Sequence, residues 1–191
     1  MSELTQLDLK LFHDINQVWT HPLLDVFLAF MRNMYVWAPL YVFMIAYLVL
    51  NFGKRGWIYA LGILWSFAIS DQCSSQLIKK NVKRLRPCNE LSLVDHRRTL
   101  VQCGTGYSFT SSHAANHTCI AVFILLTGAG FIGDWRFLFL PWALIISYAQ
   151  VYVGVHYPGD VLAGMILGCM IGIMMSLIYN NFFNKKSIPS S

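Results

Sequence analysis

Charge is the scarcest commodity in this chain. Of its 191 residues, 12% are Asp, Glu, Lys or Arg and 56% are hydrophobic, and the mean hydropathy is +0.51. A soluble domain carries about 25% charged residues. The deficit, together with long uncharged runs, excludes an ordinary globular domain and points to an integral membrane protein. The chain has no internal repeat, and no low-complexity run apart from the polar tail 184–191. Met1-Ser2-Glu3 lacks the basic region and short apolar core of a cleaved signal peptide, so the membrane segments themselves are expected to direct insertion. The positive balance of +5 is local, because seven of the 14 basic residues fall between Lys79 and Arg98. Such a patch suits phosphate or anionic head groups rather than nucleic acid. Its plain alternative is a solvated loop beside the membrane.

The apolar segments set the fold class. Residues 4–18 place Leu4, Leu7, Leu9, Phe12, Ile15 and Val18 near helical spacing, interrupted by Asp8, Lys10 and Asp14, which predicts an amphipathic helix at the interface. Residues 22–31 are apolar but short, which reads as a short or re-entrant segment. Five spans follow, at 34–51, 57–78, 112–131, 136–154 and 158–180, each close to the roughly 20 residues that cross hydrocarbon. Helices are the expected form, since lipid offers the backbone no hydrogen-bond partners. The expected fold is all-α: a helical bundle of five to six transmembrane helices with an N-terminal interfacial helix. It forms one domain over 1–191, with an N-terminal region 1–33, a bundle 34–183 and the tail 184–191. Gly164, Gly168 and Gly172 make a small-residue stripe, read as helix packing within the chain rather than as a dimer seam.

Counting crossings brings three polar clusters to one membrane face. They are Lys79 to Pro87, Ser108 to His113, and Val151 to Asp160. In the first, Lys79 and Arg86, with Lys83 and Arg84 beside them, offer cations to a phosphoryl group; Arg presents a planar fork and Lys a point charge. In the second, Thr110-Ser111-Ser112-His113 opens a helix, whose N-terminus favours anions, with Ser111 or Ser112 as N-cap. In the third, His156 and Asp160 are spaced to share a helix face. A carboxylate on one ring nitrogen fixes the tautomer and frees the other for attack.

These residues resemble the three motifs of the type 2 phosphatidic acid phosphatase superfamily: Lys79, six residues, then Arg86-Pro87; Ser111-Ser112-His113; and His156 with Asp160. The resemblance covers residues 57–175. It implies a metal-independent membrane phosphatase, without a cofactor, acting through a phosphohistidine. By that resemblance His156 is the nucleophile, Asp160 its orienting partner, and His113 the general acid. Lys79, Arg86, Ser111 and the Ser112 backbone hold the phosphoryl oxygens. Two departures stand out. Thr110 and Ser112 replace the usual Pro and Gly of the second motif. Ala149-Gln150 replaces the usual Ser-Arg of the third. Gln150 is expected to point into the site without bringing charge, a loss of about 1.5–3 kcal/mol of stabilisation that Lys83 or Arg84 is expected to offset.

Other polar residues carry smaller expectations. His113 and His117 have zinc-protease spacing, but Ala114 stands where the glutamate is needed, so no metal is expected. Asp71 is costly near a membrane and is expected to organise helix ends near Lys79. Cys88 and Cys103 lie in the polar loop and can pair if that face is extracytoplasmic. The basic loop opposes that orientation by a raw positive-inside count; its cations have a phosphate-binding explanation, and the family works on the outer face, so the active face is placed outside an inner membrane.

The implied substrate is a lipid phosphate drawn from the bilayer: undecaprenyl diphosphate first, with phosphatidylglycerol phosphate, phosphatidate or lipid A phosphate as alternatives. A non-catalytic lipid-binding or transport protein on the same scaffold is the competing reading. Nothing in the sequence speaks to oligomeric state.

Overall fold

The structure, a computed structural model, describes residues 3–184. Most of the polar tail, with Lys185 and Lys186, lies outside the described residues, as do Met1 and Ser2. Among the described residues there is no strand.

Helix α1 (Glu3–His13) passes through a wider π turn (Asp14–Val18) toward α2 (Pro22–Met31). Pro22 suits the first turn of α2, and the His21 side chain caps it by accepting from the Leu23 N–H at 3.2 Å. Helix α3 (Met34–Gln72) continues through Cys73–Ile78 to a final turn at Lys79–Val82. It is broken at Gly53, which has φ 52° and ψ −127°. That left-handed backbone favours glycine, and it separates the two expected spans at 34–51 and 57–78. Beyond the break the Leu48 carbonyl comes so close to Gly56 that an added Cβ would lie 1.9 Å from it. After the polar loop come α4 (Ser112–Thr127), α5 (Phe139–Tyr152) and α6 (Pro158–Tyr179).

Among the described residues, three helical runs are long and apolar enough to cross a membrane: Met34–Val82, Ala129–Tyr152 and Pro158–Phe183. Pro22–Met31 and Ser112–Thr127 are shorter apolar helices. Exposed Phe43, Trp65, Leu144, Leu162 and Met170 give these helices an apolar outer surface, the surface that lipid covers. The chain is an integral membrane helical bundle.

The bundle packs tightest where α6 meets α4. A Cβ added at Gly164 would lie 2.5 Å from the Ser111 carbonyl, and one at Gly168 would lie 2.2 Å from that of Ala115. The glycine stripe is therefore internal packing, and it sets α4 and α6 backbone to backbone. Replacing Gly168 with alanine is expected to destabilise the fold by about 1–3 kcal/mol or more. The control is Gly130→Ala, where an added Cβ meets nothing within 4 Å. A clear fall in Tm in detergent for the first variant and none for the second is the expected outcome. At the end of the bundle away from the polar loop, Tyr59 stacks on Phe131 at 4.1 Å and Thr127 donates to its hydroxyl at 3.3 Å.

The N-terminal region departs from expectation. It does not merely lie along an interface. Phe12 and Asn16 are fully buried. Asn16 donates to the carbonyls of Arg98 and Tyr152 at 2.9 and 2.8 Å and accepts from the Arg98 N–H at 2.7 Å. It thereby ties the polar loop to the end of α5. Asp25 on α2 holds Arg98 and the Tyr152 hydroxyl. An unpaired amide is costly to bury, and Asn16 is buried with its partners in place.

Candidate active site

The polar clusters meet at the ends of α3, α4 and α6. The His156 loop runs between α5 and α6. Gly154 starts it with φ 86°, and an added Cβ there would lie 2.2 Å from the Arg98 carbonyl, so only glycine fits. The N–H groups of Val155 and His156 both donate to the Gln150 carbonyl at 3.2 Å. The imidazole is thus aimed by its backbone before its side-chain partners act.

Those partners define a tautomer. The Ser108 hydroxyl donates to Asp160 Oδ2, so its oxygen is free to accept from His156 Nδ1 at 3.2 Å. Asp160 Oδ2 is itself 3.6 Å from Nδ1 and accepts from the Tyr157 N–H at 2.9 Å. With the proton on Nδ1, the Nε2 lone pair faces the Arg86 guanidinium at 3.4 Å. Ser108 therefore stands between histidine and carboxylate, a role the sequence reading did not give it. Burial, the largest influence, pushes the His156 pKa down to about 4, outweighing the attraction of Asp160.

Asp160 is fully buried and carries further ties. Its Oδ1 accepts from Arg84 at 2.7 Å, while the same guanidinium donates to Asp8 Oδ2 at 2.6 Å. Asp8 Oδ1 accepts from the Gly159 N–H at 2.7 Å in the first turn of α6, a favourable place for a carboxylate. Arg84 also lies over the Tyr157 ring at 3.9 Å. Arg84 is thus committed to two carboxylates. It does not supply the spare phosphate donor expected of it, because a clamped ion pair outcompetes a transient ligand. Lys83 is exposed at a left-handed turn. Neither cation replaces the missing arginine of the third motif.

Arg86 keeps its place. Its Nε donates to the Gly106 carbonyl at 2.9 Å, leaving the Nη groups toward His156. Lys79 sits in the last turn of the α3 run and interacts electrostatically with Arg86, Asp71 and Asp160. Ser111 is the N-cap of α4, accepting from the Ala114 N–H at 3.5 Å, and its own N–H donates to the Asp160 carbonyl at 3.0 Å. The Ser112 hydroxyl lies 3.1 Å from that of Ser75. Its backbone N–H belongs to the first turn, where helices leave donors free. His113 follows and interacts electrostatically with His156, Lys79 and Arg32.

Asp71 accepts from Ser75 at 3.3 Å and Asn116 at 2.9 Å, joining α3 to α4 beside Lys79. His117 Nδ1 donates to the His113 carbonyl at 2.8 Å and packs on Trp142 at 4.8 Å. Among the described residues no group of three or more His, Cys, Asp or Glu could hold a metal ion. Gln150 is buried rather than against lipid, but its amide donates to the Ile146 carbonyl at 3.3 Å, one turn back. Cys88 and Cys103 are joined, with Cα atoms 5.9 Å apart, and close the polar loop beside Arg86.

The family model described as the PAP2 superfamily matches residues 55–184. A lipid A 4′-phosphatase of Bacteroides thetaiotaomicron is 32% identical over 86% of this chain and 73% of its own length. An undecaprenyl-diphosphatase of Sulfolobus acidocaldarius is 33% identical over 83% of this chain and 71% of its own. Among solved structures, the Bacillus subtilis PAP2 phosphatidylglycerolphosphate phosphatase superposes with a TM-score of 0.75 at 19% identity, covering 100% of this chain and 90% of that one. Aquifex aeolicus LpxE gives 0.64 at 29% identity, covering 91% and 96%. With a family model matching most of its length and a relative 32% identical over 73% of that relative's length, this chain belongs to the PAP2 superfamily.

Proposed function

We propose that this protein removes a phosphate from a lipid phosphate or diphosphate through a phosphohistidine on His156, without a metal. One observation carries the reading: His156 Nδ1 is held by Ser108 and Asp160 while Nε2 faces Arg86. That is the arrangement for in-line attack on a phosphoryl group already neutralised by cations. The Nε2 lone pair forms the N–P bond as the P–O bond to the lipid breaks. His113 gives its proton to the departing oxygen. Water then attacks the phosphohistidine, returning a proton to His113 and releasing phosphate. Lys79, Arg86 and the Ser112 N–H hold the phosphoryl oxygens, and Ser111 shapes the turn that presents them.

Relatives acting on lipid A and on undecaprenyl diphosphate support a large lipid substrate. Undecaprenyl diphosphate is the preferred candidate. The Cys88–Cys103 bridge supports an oxidising compartment, and so an active site on the outer face of a bacterial inner membrane.

The test is phosphate release from lipid phosphates by the purified protein in detergent with excess EDTA. Sustained turnover is the expected result, and none would favour a non-catalytic lipid-binding protein. The same assay reads the acid limb. Only neutral His156 has a lone pair to attack with, so kcat/KM of the free enzyme is expected to rise with pH through about 4. An acid limb at the ordinary histidine value, about 6.5, would mean that the nucleophile is not this buried ring.

A further inference from the structure

Gln150 leaves the site one cation short of the family pattern, and neither Lys83 nor Arg84 makes up the difference. Arg32, between α2 and α3, interacts electrostatically with Arg86 and His113 from another direction. Two lines of packing run from its neighbours toward the site. Leu28 is buried in one cluster with Ala149, Val153 and Val155, which flank Gln150 and His156. The Arg32 N–H donates to the Leu28 carbonyl at 3.2 Å, so Arg32 follows one turn on along the same helix face. On the other side, the Met31 carbonyl accepts from Trp37 Nε1 at 2.7 Å. Trp37 packs on Trp142 at 5.6 Å, Trp142 on His117 at 4.8 Å, and His117 stacks beside His113 at 6.1 Å.

Among the described residues Arg32 is also the arginine at this face whose Nε is buried without a hydrogen bond. Arg84 is clamped by Asp8 and Asp160, and Arg98 by Asp25. Arg97 donates to the carbonyls of Pro87 and Glu90, and Arg86 to that of Gly106. Among the described residues Arg32 has no carboxylate partner, and its Nε is buried without a hydrogen bond. It interacts electrostatically with Arg86 and His113. A half-buried guanidinium beside another cation is costly unless an anion comes between them.

We infer that Arg32 binds the phosphate that stays on the lipid when a lipid diphosphate is cleaved, which makes it the residue that selects diphosphates over monophosphates. The inference rests on the phosphatase reading above. It turns on the side of the site where Arg32 lies. His113 protonates the departing oxygen, and Arg32 interacts electrostatically with His113. A monophosphate leaves a neutral alcohol there, with nothing to match a guanidinium fork. A diphosphate leaves a charged phosphate, which matches it.

The test compares farnesyl diphosphate with farnesyl monophosphate, using the full chain in detergent. The parent protein is expected to prefer the diphosphate. Arg32→Gln is expected to lower the diphosphate-to-monophosphate ratio of kcat/KM by about 10- to 100-fold, the scale of one charge-assisted hydrogen bond. Arg32→Lys keeps the charge and is expected to retain most of the ratio. If the glutamine variant fails to fold, Arg32→Met gives the same comparison with the apolar stem kept. An unchanged ratio, an equal loss on both lipids, or equal loss of the ratio in the lysine variant overturns the inference. So does a parent active on the monophosphate alone, although the phosphatase reading then survives. A parent inactive on both lipids and on every other lipid phosphate overturns the phosphatase reading itself.

Discussion

His156→Ala is expected to abolish phosphate release while leaving the bundle folded, with a loss of about 10⁴-fold or more, as when a covalent nucleophile is removed. The fold should survive because the loop does not depend on the ring. Its geometry comes from the Gln150 carbonyl, which accepts two N–H groups, from the Gly154 N–H bonded to the Val151 carbonyl at 3.0 Å, and from the Leu100 N–H bonded to the Val153 carbonyl at 3.2 Å. What disappears is the group that forms the N–P bond in the proposed mechanism. Two measurements check this. One is the rate of phosphate release at saturating lipid. The other is acid-labile, base-stable phosphate on protein quenched during turnover, present in the parent and absent in the variant. Residual turnover above about 1% of the parent would move the chemistry to another group, since loss of a nucleophile leaves far less.

Asp160→Asn has the second largest expected effect, and it strikes both rate and stability. The carboxylate is fully buried and answers Arg84, the Ser108 hydroxyl and the Tyr157 N–H together. Asparagine keeps the shape but leaves Arg84 with only Asp8, and it can turn an N–H toward Ser108. Breaking a buried ion pair costs about 3–5 kcal/mol, read here as a lower Tm in detergent. The rate is expected to fall by about 10²- to 10⁴-fold, because a histidine whose orienting carboxylate becomes an amide adopts the wrong tautomer. The fall should appear in kcat, with KM little changed, since Asp160 is fully buried behind Ser108 and His156. A lower Tm with an unchanged kcat would reduce Asp160 to a structural residue.

The residues that were legible in the sequence act locally or repeat. Gly164, Gly168 and Gly172 announce close packing by their spacing alone, and the packing against Ser111, Ala115 and Cys119 follows it. Gly53, in the polar break Asn51 to Arg55, marked the boundary between two spans and adopts a conformation that only glycine takes easily. His156 and Asp160 do come together, though not on one helical face: His156 lies in the loop before α6 and Asp160 in the first turn of that helix. The illegible residues act across long separations. Asp8 read as an interruption in an amphipathic helix, yet it holds Arg84 and Gly159. Nothing in the local pattern singles out Asn16, yet it bonds to Arg98 and Tyr152. Ser108 was quoted with its motif but given no role, because nothing in local spacing says that a loop hydroxyl will insert between His156 and Asp160. The ties of Arg84 are illegible for the same reason: its partners Asp8 and Asp160 each lie 76 residues away, on opposite sides in sequence.

The Asp8 contact with Gly159 also orders events in time. Asp8 leaves the ribosome early, and its partner in the last helix emerges 151 residues later. Until that helix has entered the bilayer, Arg84 has neither of its carboxylates settled and His156 has no Asp160. A chain that stops short of that helix therefore lacks both Asp160 and the Gly159 N–H, and with them the ties that join α1 to Arg84 and the His156 loop.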